Sequence, residues 1–125
     1  MNEWRALAGV DGGVLVGGRG EVKVLENGGL GLLLEVHFQA GVSSLEHHHG
    51  HDSYLYLLSG QISGMVGGEP FELQAGASLV HRAGVDHSVH AVVDSCWLEF
   101  KAPAPRLTID PIGALGMTSD EVQEA

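Results

Sequence analysis

Glycine cuts this sequence into pieces too short for anything but strands. The chain has 19 glycines among 125 residues, about twice the average share of roughly 7%. Between them lie apolar and β-branched runs of 4 to 9 residues, and no apolar stripe of helical period lasts three turns. Runs of that length suit strands, so the core is predicted to be all-β. Asn27-Gly28 separates Val22 to Glu26 from Gly29 to Phe38 and suits a two-residue hairpin turn with positive φ. Gly67-Gly68 does the same between Gln61 to Val66 and Glu69 to Leu73, where Pro70 marks an edge or a strand start. Val14 to Val16, Ser53 to Leu58, Ser78 to His81, His87 to Val93 and Cys96 to Lys101 bring the expected total to eight to ten strands, the spacing of a sandwich or barrel.

The prolines of Ala102-Pro103-Ala104-Pro105 remove ladder donors and are expected to stop the sheet. The chain therefore reads as a single domain over 1–125, with a barrel core of about 14–103 and a tail of 104–125. In that tail Thr118 and Glu121 form a capping box, so a short terminal helix is expected.

Charge excludes several functions. Sixteen acidic against six basic residues give a formal net charge of −10, which repels nucleic-acid phosphates and an anionic membrane surface. Leu30 to Phe38, among the longest apolar stretches, is far shorter than the roughly 20 residues of a membrane span. Gly17-Gly18-Arg19-Gly20 leads into a strand and lacks the Lys-Ser or Lys-Thr of a phosphate loop. One cysteine, Cys96, permits no internal disulfide, and the first residues lack the pattern of a secretory leader, so a cytoplasmic protein is expected. Cys96 sits among apolar residues and reads as an inert buried thiol.

Histidine carries the chemistry. Seven of the eight histidines lie between His47 and His90. On an extended strand His47 and His49 face one side, about 7 Å apart at Cα, close enough for both imidazoles to reach one metal. A third ligand is supplied by His87, at the end of Gly76 to His87, where two glycines bracket a short strand. His48 and His90 face away, and His37 shares a polar strand face with Glu35 and Gln39.

These two segments resemble the motifs of the cupin superfamily. Gly41, His47, His49 and Gly60 occupy the positions of its first motif, and Gly76, Gly84 and His87 those of its second. Ser53 stands where most members have glutamate, Arg82 where they have proline, and Ala91 where they have asparagine. The resemblance implies a cupin-type jelly-roll β-barrel with a divalent metal ion (Fe, Zn, Ni or Mn) held in its mouth by His47, His49 and His87. Without the carboxylate, three neutral imidazoles keep the full charge on the ion and leave a position open for water or substrate. The function implied is a metal-dependent enzyme acting on a small oxygenated organic molecule, first of all a three-histidine non-haem dioxygenase. A metal-dependent lyase, isomerase or polyketide-type cyclase is the alternative, and a non-catalytic small-molecule-binding module the second alternative.

Three further residues are catalytic candidates. His51 shares the parity of His47 and His49, as a fourth ligand or a substrate-facing group. His81 shares the parity of Leu79 and points into the barrel as an acid or base. Arg82, at the rim, is placed to pair a substrate carboxylate. Tyr54, Tyr56 and Leu58 alternate outward as an apolar row that suits a homodimer.

Overall fold

The computed structural model describes residues 3–11 and 13–119. In chain order its strands are β1 (Trp4–Val10), β2 (Leu15–Val16), β3 (Gly20–Asn27), β4 (Leu32–Phe38), β5 (Ser43–His47), β6 (Asp52–Ser59), β7 (Gln61–Val66), β8 (Glu69–Gln74), β9 (Ser78–His81), β10 (His87–Ala91), β11 (Ser95–Ala102), β12 (Arg106–Ile109) and β13 (Leu115–Thr118). They form an eight-stranded sheet, ordered β12-β13-β1-β3-β4-β11-β6-β9, and a five-stranded sheet, ordered β2-β5-β10-β7-β8. The two sheets pack around one core in a jelly roll. Among the described residues no helix is long and apolar enough to cross a membrane.

Alternation builds the core. Leu32, Leu34, Val36 and Phe38 of β4 are buried, as are Val22 and Val24 of β3 and Leu55 and Leu57 of β6, with their neighbours turned outward. Ile62, Val89 and Ala91 close it from the smaller sheet, and Phe38 meets Trp97 edge-on at 4.8 Å. Filling such positions with Leu, Ile or Phe contributes about 1.5–3 kcal/mol per side chain.

The same alternation carries polar residues inward at the other end of the strands. On β6 the inward series Leu57, Leu55 ends in Ser53, and on β11 Trp97 is followed by Glu99 and Lys101. On β10 the inward series Ala91, Val89 ends in His87. Register then aligns them: Lys101 is opposite Ser53 and Ser53 opposite His81 in the larger sheet, while His87 is opposite His47 in the smaller.

Three local expectations change. The β3–β4 connection is a four-residue loop, since Asn27 pairs with Leu32, and neither Asn27 nor Gly28 has positive φ. A bulge between Val24 and Glu26 shifts the register, and Gly28 N–H closes the loop on the Gly31 carbonyl at 2.9 Å. Gly31 is required there, because a Cβ would lie 2.3 Å from the Phe100 ring. The Gly67-Gly68 turn does have positive φ at both residues, 56° and 83°, and Pro70 does lie on the edge strand β8.

The larger sheet also extends past residues 14–103 at both ends. β1 pairs with β3 and, in parallel, with β13, which pairs with β12. The prolines interrupt the sheet without ending it. Thr118 is the last residue of β13, and the helix expected beyond it falls, from Asp120 on, outside the described residues.

Candidate metal centre

His47 ends β5, His49 follows it in the link to β6, and His87 opens β10 beside His47. Their ring centroids lie 4.8 Å apart for His47 and His49, 4.5 Å for His47 and His87, and 4.5 Å for His49 and His87. One ring nitrogen of each lies within 4.8 Å of the others, and His49 Nε2 is 3.1 Å from His87 Nε2. Nitrogens bound to a common ion at roughly 2.0–2.1 Å would be separated by a similar distance.

The backbone fixes which nitrogens are free. His47 Nδ1 donates to the Leu45 carbonyl at 2.7 Å, and His87 Nδ1 donates to the Val85 carbonyl at 3.2 Å. With the proton on Nδ1, each Nε2 keeps a lone pair for an ion, and the ring is held in orientation. Burial lowers the His49 pKa to about 2, helped by Lys101 and by the neighbouring histidines. Burial lowers that of His87 to about 3, helped by His81 and His47. Both are neutral imidazoles near pH 7, the protonation state a metal ligand needs. The donor set thus fits a divalent metal.

His51 is buried in a separate hydrogen-bond chain. Its Nε2 accepts from Lys101 Nζ at 3.2 Å, and its Nδ1 donates to Ser119 Oγ at 2.5 Å. Ser119 donates in turn, from Oγ to Asp11 Oδ2 at 2.6 Å and from its backbone N–H to Asp11 Oδ1 at 2.5 Å. The chain ties β1 and β13 to the barrel mouth. Burial first, then Lys101, lowers the His51 pKa to about 4, against the opposing pull of Asp11, Glu99 and Asp52. Asp11, His49 and His51 also offer ligand atoms within 4.8 Å of one another.

His81 is buried, with its ring stacked 3.9 Å from that of His87 at an interplanar angle of 11°. Its Nε2 has no hydrogen-bond partner, and burial lowers its pKa to about 4. A neutral imidazole with an unused nitrogen beside the cavity suits proton transfer. Arg82 is exposed and is not among the residues that line the cavity. It stands just after β9, in the turn closed by Val85 N–H on its carbonyl. His48 is exposed on Asp86 at 3.0 Å, and His90 is exposed on Ser43.

Two functional candidates escaped the sequence reading. Lys101 is 2% exposed, and its Nζ donates to Glu99 Oε2 at 2.6 Å and to Ser53 Oγ at 2.8 Å as well as to His51. Glu99 Oε1 accepts from Trp97 Nε1 at 2.9 Å. Burial alone would raise the Glu99 carboxyl, but Lys101 and the two hydrogen bonds prevail and hold it well below the usual carboxylate range. The signal was an inverted alternation in Trp97-Leu98-Glu99-Phe100-Lys101, whose charges lie on the parity of a buried tryptophan. Lys101, Glu99, His47, His49, His81 and His87 line one cavity of about 60 Å³, room for a few waters or a small organic molecule.

Ser53 Oγ, in the position where most members of the resembled family have glutamate, is engaged by Lys101. The candidate centre is therefore all-imidazole, with an ion pair beside it.

Known proteins share this architecture. A structure of KdgF from Halomonas sp. is similar with a TM-score of 0.64 and 23% identity, over 67% of this chain and 78% of that one. An RmlC-like cupin from Shewanella frigidimarina has a TM-score of 0.66 and 24% identity, over 71% of this chain and 79% of that one. A predicted oxalate decarboxylase from Thermotoga maritima has a TM-score of 0.62 and 19% identity, over 72% of this chain and 90% of that one. No curated protein matches the sequence. The family model described as a cupin domain matches residues 34–99, just over half of the chain, which spans β4 to β11 and all three histidines, and the chain belongs to that family.

Proposed function

We propose that the protein is a metal-dependent enzyme that rearranges or cleaves a small oxygenated organic molecule by moving protons. The observation that carries this reading is the convergence of three imidazoles, two of them pinned through Nδ1, on a cavity that also holds an unpartnered histidine nitrogen and a buried ion pair. A divalent ion held by His47, His49 and His87 would supply a Lewis acid for a substrate oxygen. His81 Nε2 is the group placed to take up or return a proton, since it is buried beside the cavity without a hydrogen-bond partner. Glu99, with both oxygens occupied, holds Lys101 in place. The apolar wall of Val36, Phe38 and Trp97 excludes water from the inner side of the cavity. A predicted oxalate decarboxylase among the similar structures supports a small oxygenated substrate.

A dioxygenase is the second reading, favoured by a donor set without a carboxylate. The two separate by oxygen. Turnover of the same substrate by zinc- or nickel-loaded protein under anaerobic conditions supports the lyase or isomerase class. Strict dependence on Fe(II) with stoichiometric oxygen consumption supports the dioxygenase. The partner proposed is a second copy of the chain, across the outer face of the larger sheet where Tyr54, Tyr56, Leu58 and Phe100 are exposed. Sedimentation of wild type against a Tyr54→Lys, Tyr56→Lys double variant checks it, with a shift from dimer to monomer expected.

A further inference from the structure

Lys101 is the only one of the six lysines and arginines that is buried. It occupies an inward position on β11, four residues beyond Trp97, where an apolar side chain would continue the core. A buried ion pair rarely stabilises a fold more than well-packed hydrocarbon of the same volume. The pair with Glu99 therefore calls for a reason other than stability.

Charge supplies one. The cavity lining contains four histidines, one lysine and one glutamate as its ionisable groups. Glu99, the one carboxylate among them, is already spent, its two oxygens on Trp97 and Lys101. The cavity lining thus offers a ligand one cation, Lys101, and no free carboxylate, a balance that suits an anion. Lys101 lines the same cavity as Glu99, and Ser53 Oγ, which accepts one of its protons, still has its own O–H to donate.

We propose that Lys101 is the substrate-binding cation of this site and that the substrate is a small organic anion whose carboxylate or enolate oxygen takes an N–H from Lys101 in the cavity. The class of substrate rests on the metal reading above, whereas anion binding by Lys101 can be tested without any metal. In the bound state the ammonium keeps Glu99 and gives the incoming oxygen the N–H now on Ser53 or His51, so no proton changes hands on binding. The surface charge of −10 does not oppose this inside the barrel, because fields from exposed charges are screened over about 8 Å at physiological ionic strength. Arg82, the other cation near the site in sequence, lies exposed outside the cavity.

The test uses chelator-treated full-length protein, malonate as the anion and malonamide as its neutral counterpart. Binding is followed by calorimetry and by the fluorescence of Trp97, whose indole N–H rests on Glu99, in a Trp4→Phe background that leaves one tryptophan. Wild type is expected to bind malonate saturably and malonamide at least tenfold more weakly. Lys101→Met should weaken malonate at least tenfold, with Lys101→Arg retaining part of it. Where Lys101→Met alone unfolds, Lys101→Met with Glu99→Gln removes both charges and gives the same readout. Glu99→Gln alone, which frees the ammonium of its counter-charge, should tighten malonate severalfold, an effect a purely structural lysine would not produce. Malonate bound equally by wild type and the Lys101 variants, malonamide bound as well as malonate, or no saturable binding by folded wild type overturns the proposal. Metal content of the untreated wild type is measured separately, so that saturable, Lys101-dependent malonate binding by a protein that takes up no metal overturns the metal reading and leaves this one standing.

Discussion

The two ends of the barrel are built by the same strands under the same alternation, and they differ in what alternation brings inward. At one end Trp97, Leu57 and Ala91 meet across the two sheets, while a few residues along β11, β6 and β10 the inward positions hold Lys101, Ser53 and His87. β4 stays apolar along its whole inward face, from Phe38 to Leu32. Polarity is thus confined to one side of the mouth. An apolar end stabilises by removing hydrocarbon from water. The polar end has to be stabilised by mutual hydrogen bonds, and it offers two nitrogens that have none, His49 Nδ1 and His81 Nε2. The same frame therefore holds a packed half and a reactive half.

The sharpest way to break the comparison is to remove the imidazoles. His47→Ala together with His87→Ala should lower metal affinity by more than a hundredfold, measured by metal analysis after dialysis against a weak chelator. Unchanged metal content in that variant would falsify the assignment of the centre. The fold should survive, because the strands are held by the apolar half.

Stability separates the halves next. Leu57→Ala leaves a cavity in the packed end and is expected to cost about 2–5 kcal/mol in urea unfolding. Lys101→Met should cost a similar amount, about 3–5 kcal/mol, since it strands the Glu99 carboxylate in the interior. The difference appears on adding a second change. Glu99→Leu should return the Lys101→Met protein to within about 1 kcal/mol of wild type, because the loss comes from the unpaired charge. Additive losses in the double variant would instead make the polar end a stabilising element like the apolar one.

Acid should reach the polar half first. In the metal-free protein burial lowers the pKa values of His49, His51, His81 and His87 below the ordinary 6.5. Below pH 6.5 the unfolded chain binds protons that the folded chain excludes, so stability is full above that pH and falls as pH drops toward the folded values. Each histidine can contribute up to about 1.4 kcal/mol per pH unit. The Glu99 carboxyl, held low by Lys101, adds a second loss once pH falls below its unfolded value near 4.5. Urea midpoints of chelator-treated protein that stay level from pH 7 to 5 contradict this account. Replacing His81 by Leu should flatten the slope.

Sequence reading reached the apolar half more completely than the polar one. The strands from β3 to β11 other than β5 were legible because glycine turns and period-two alternation act over a few residues, and His47, His49 and His87 were legible because the family motifs hold them at fixed spacing. β1, β12 and β13 were not, since Trp4–Val10 and Leu115–Thr118 lack a strong alternating pattern and become strands by pairing across the length of the chain. Lys101 and Glu99 were missed for a related reason. Charges on a closing strand ordinarily face water, and only the register that sets Lys101 opposite Ser53 shows that these two face inward. For Arg82 the motif fixes the position in sequence, whereas the surroundings of its side chain follow from the turn after β9, where it is exposed.

Two buried serines give the finest comparison. Ser95 at the packed end takes the Gln61 N–H at 3.1 Å and donates to backbone carbonyls, Val93 O at 2.8 Å among them. Ser53 at the reactive end takes an N–H from the Lys101 ammonium. Both hydroxyls are about 1% exposed, so burial does not distinguish them. Ser95→Ala unmakes neutral hydrogen bonds worth about 0.5–1.5 kcal/mol each, and that loss should be the same with and without metal. Ser53→Ala withdraws one of three acceptors from a buried cation, a bond of about 1.5–3 kcal/mol, and frees an N–H of the residue proposed to bind malonate. Malonate should therefore restore part of the stability lost in Ser53→Ala and none of that lost in Ser95→Ala. Equal restoration in both would mean that the anion stabilises the whole fold without engaging Lys101.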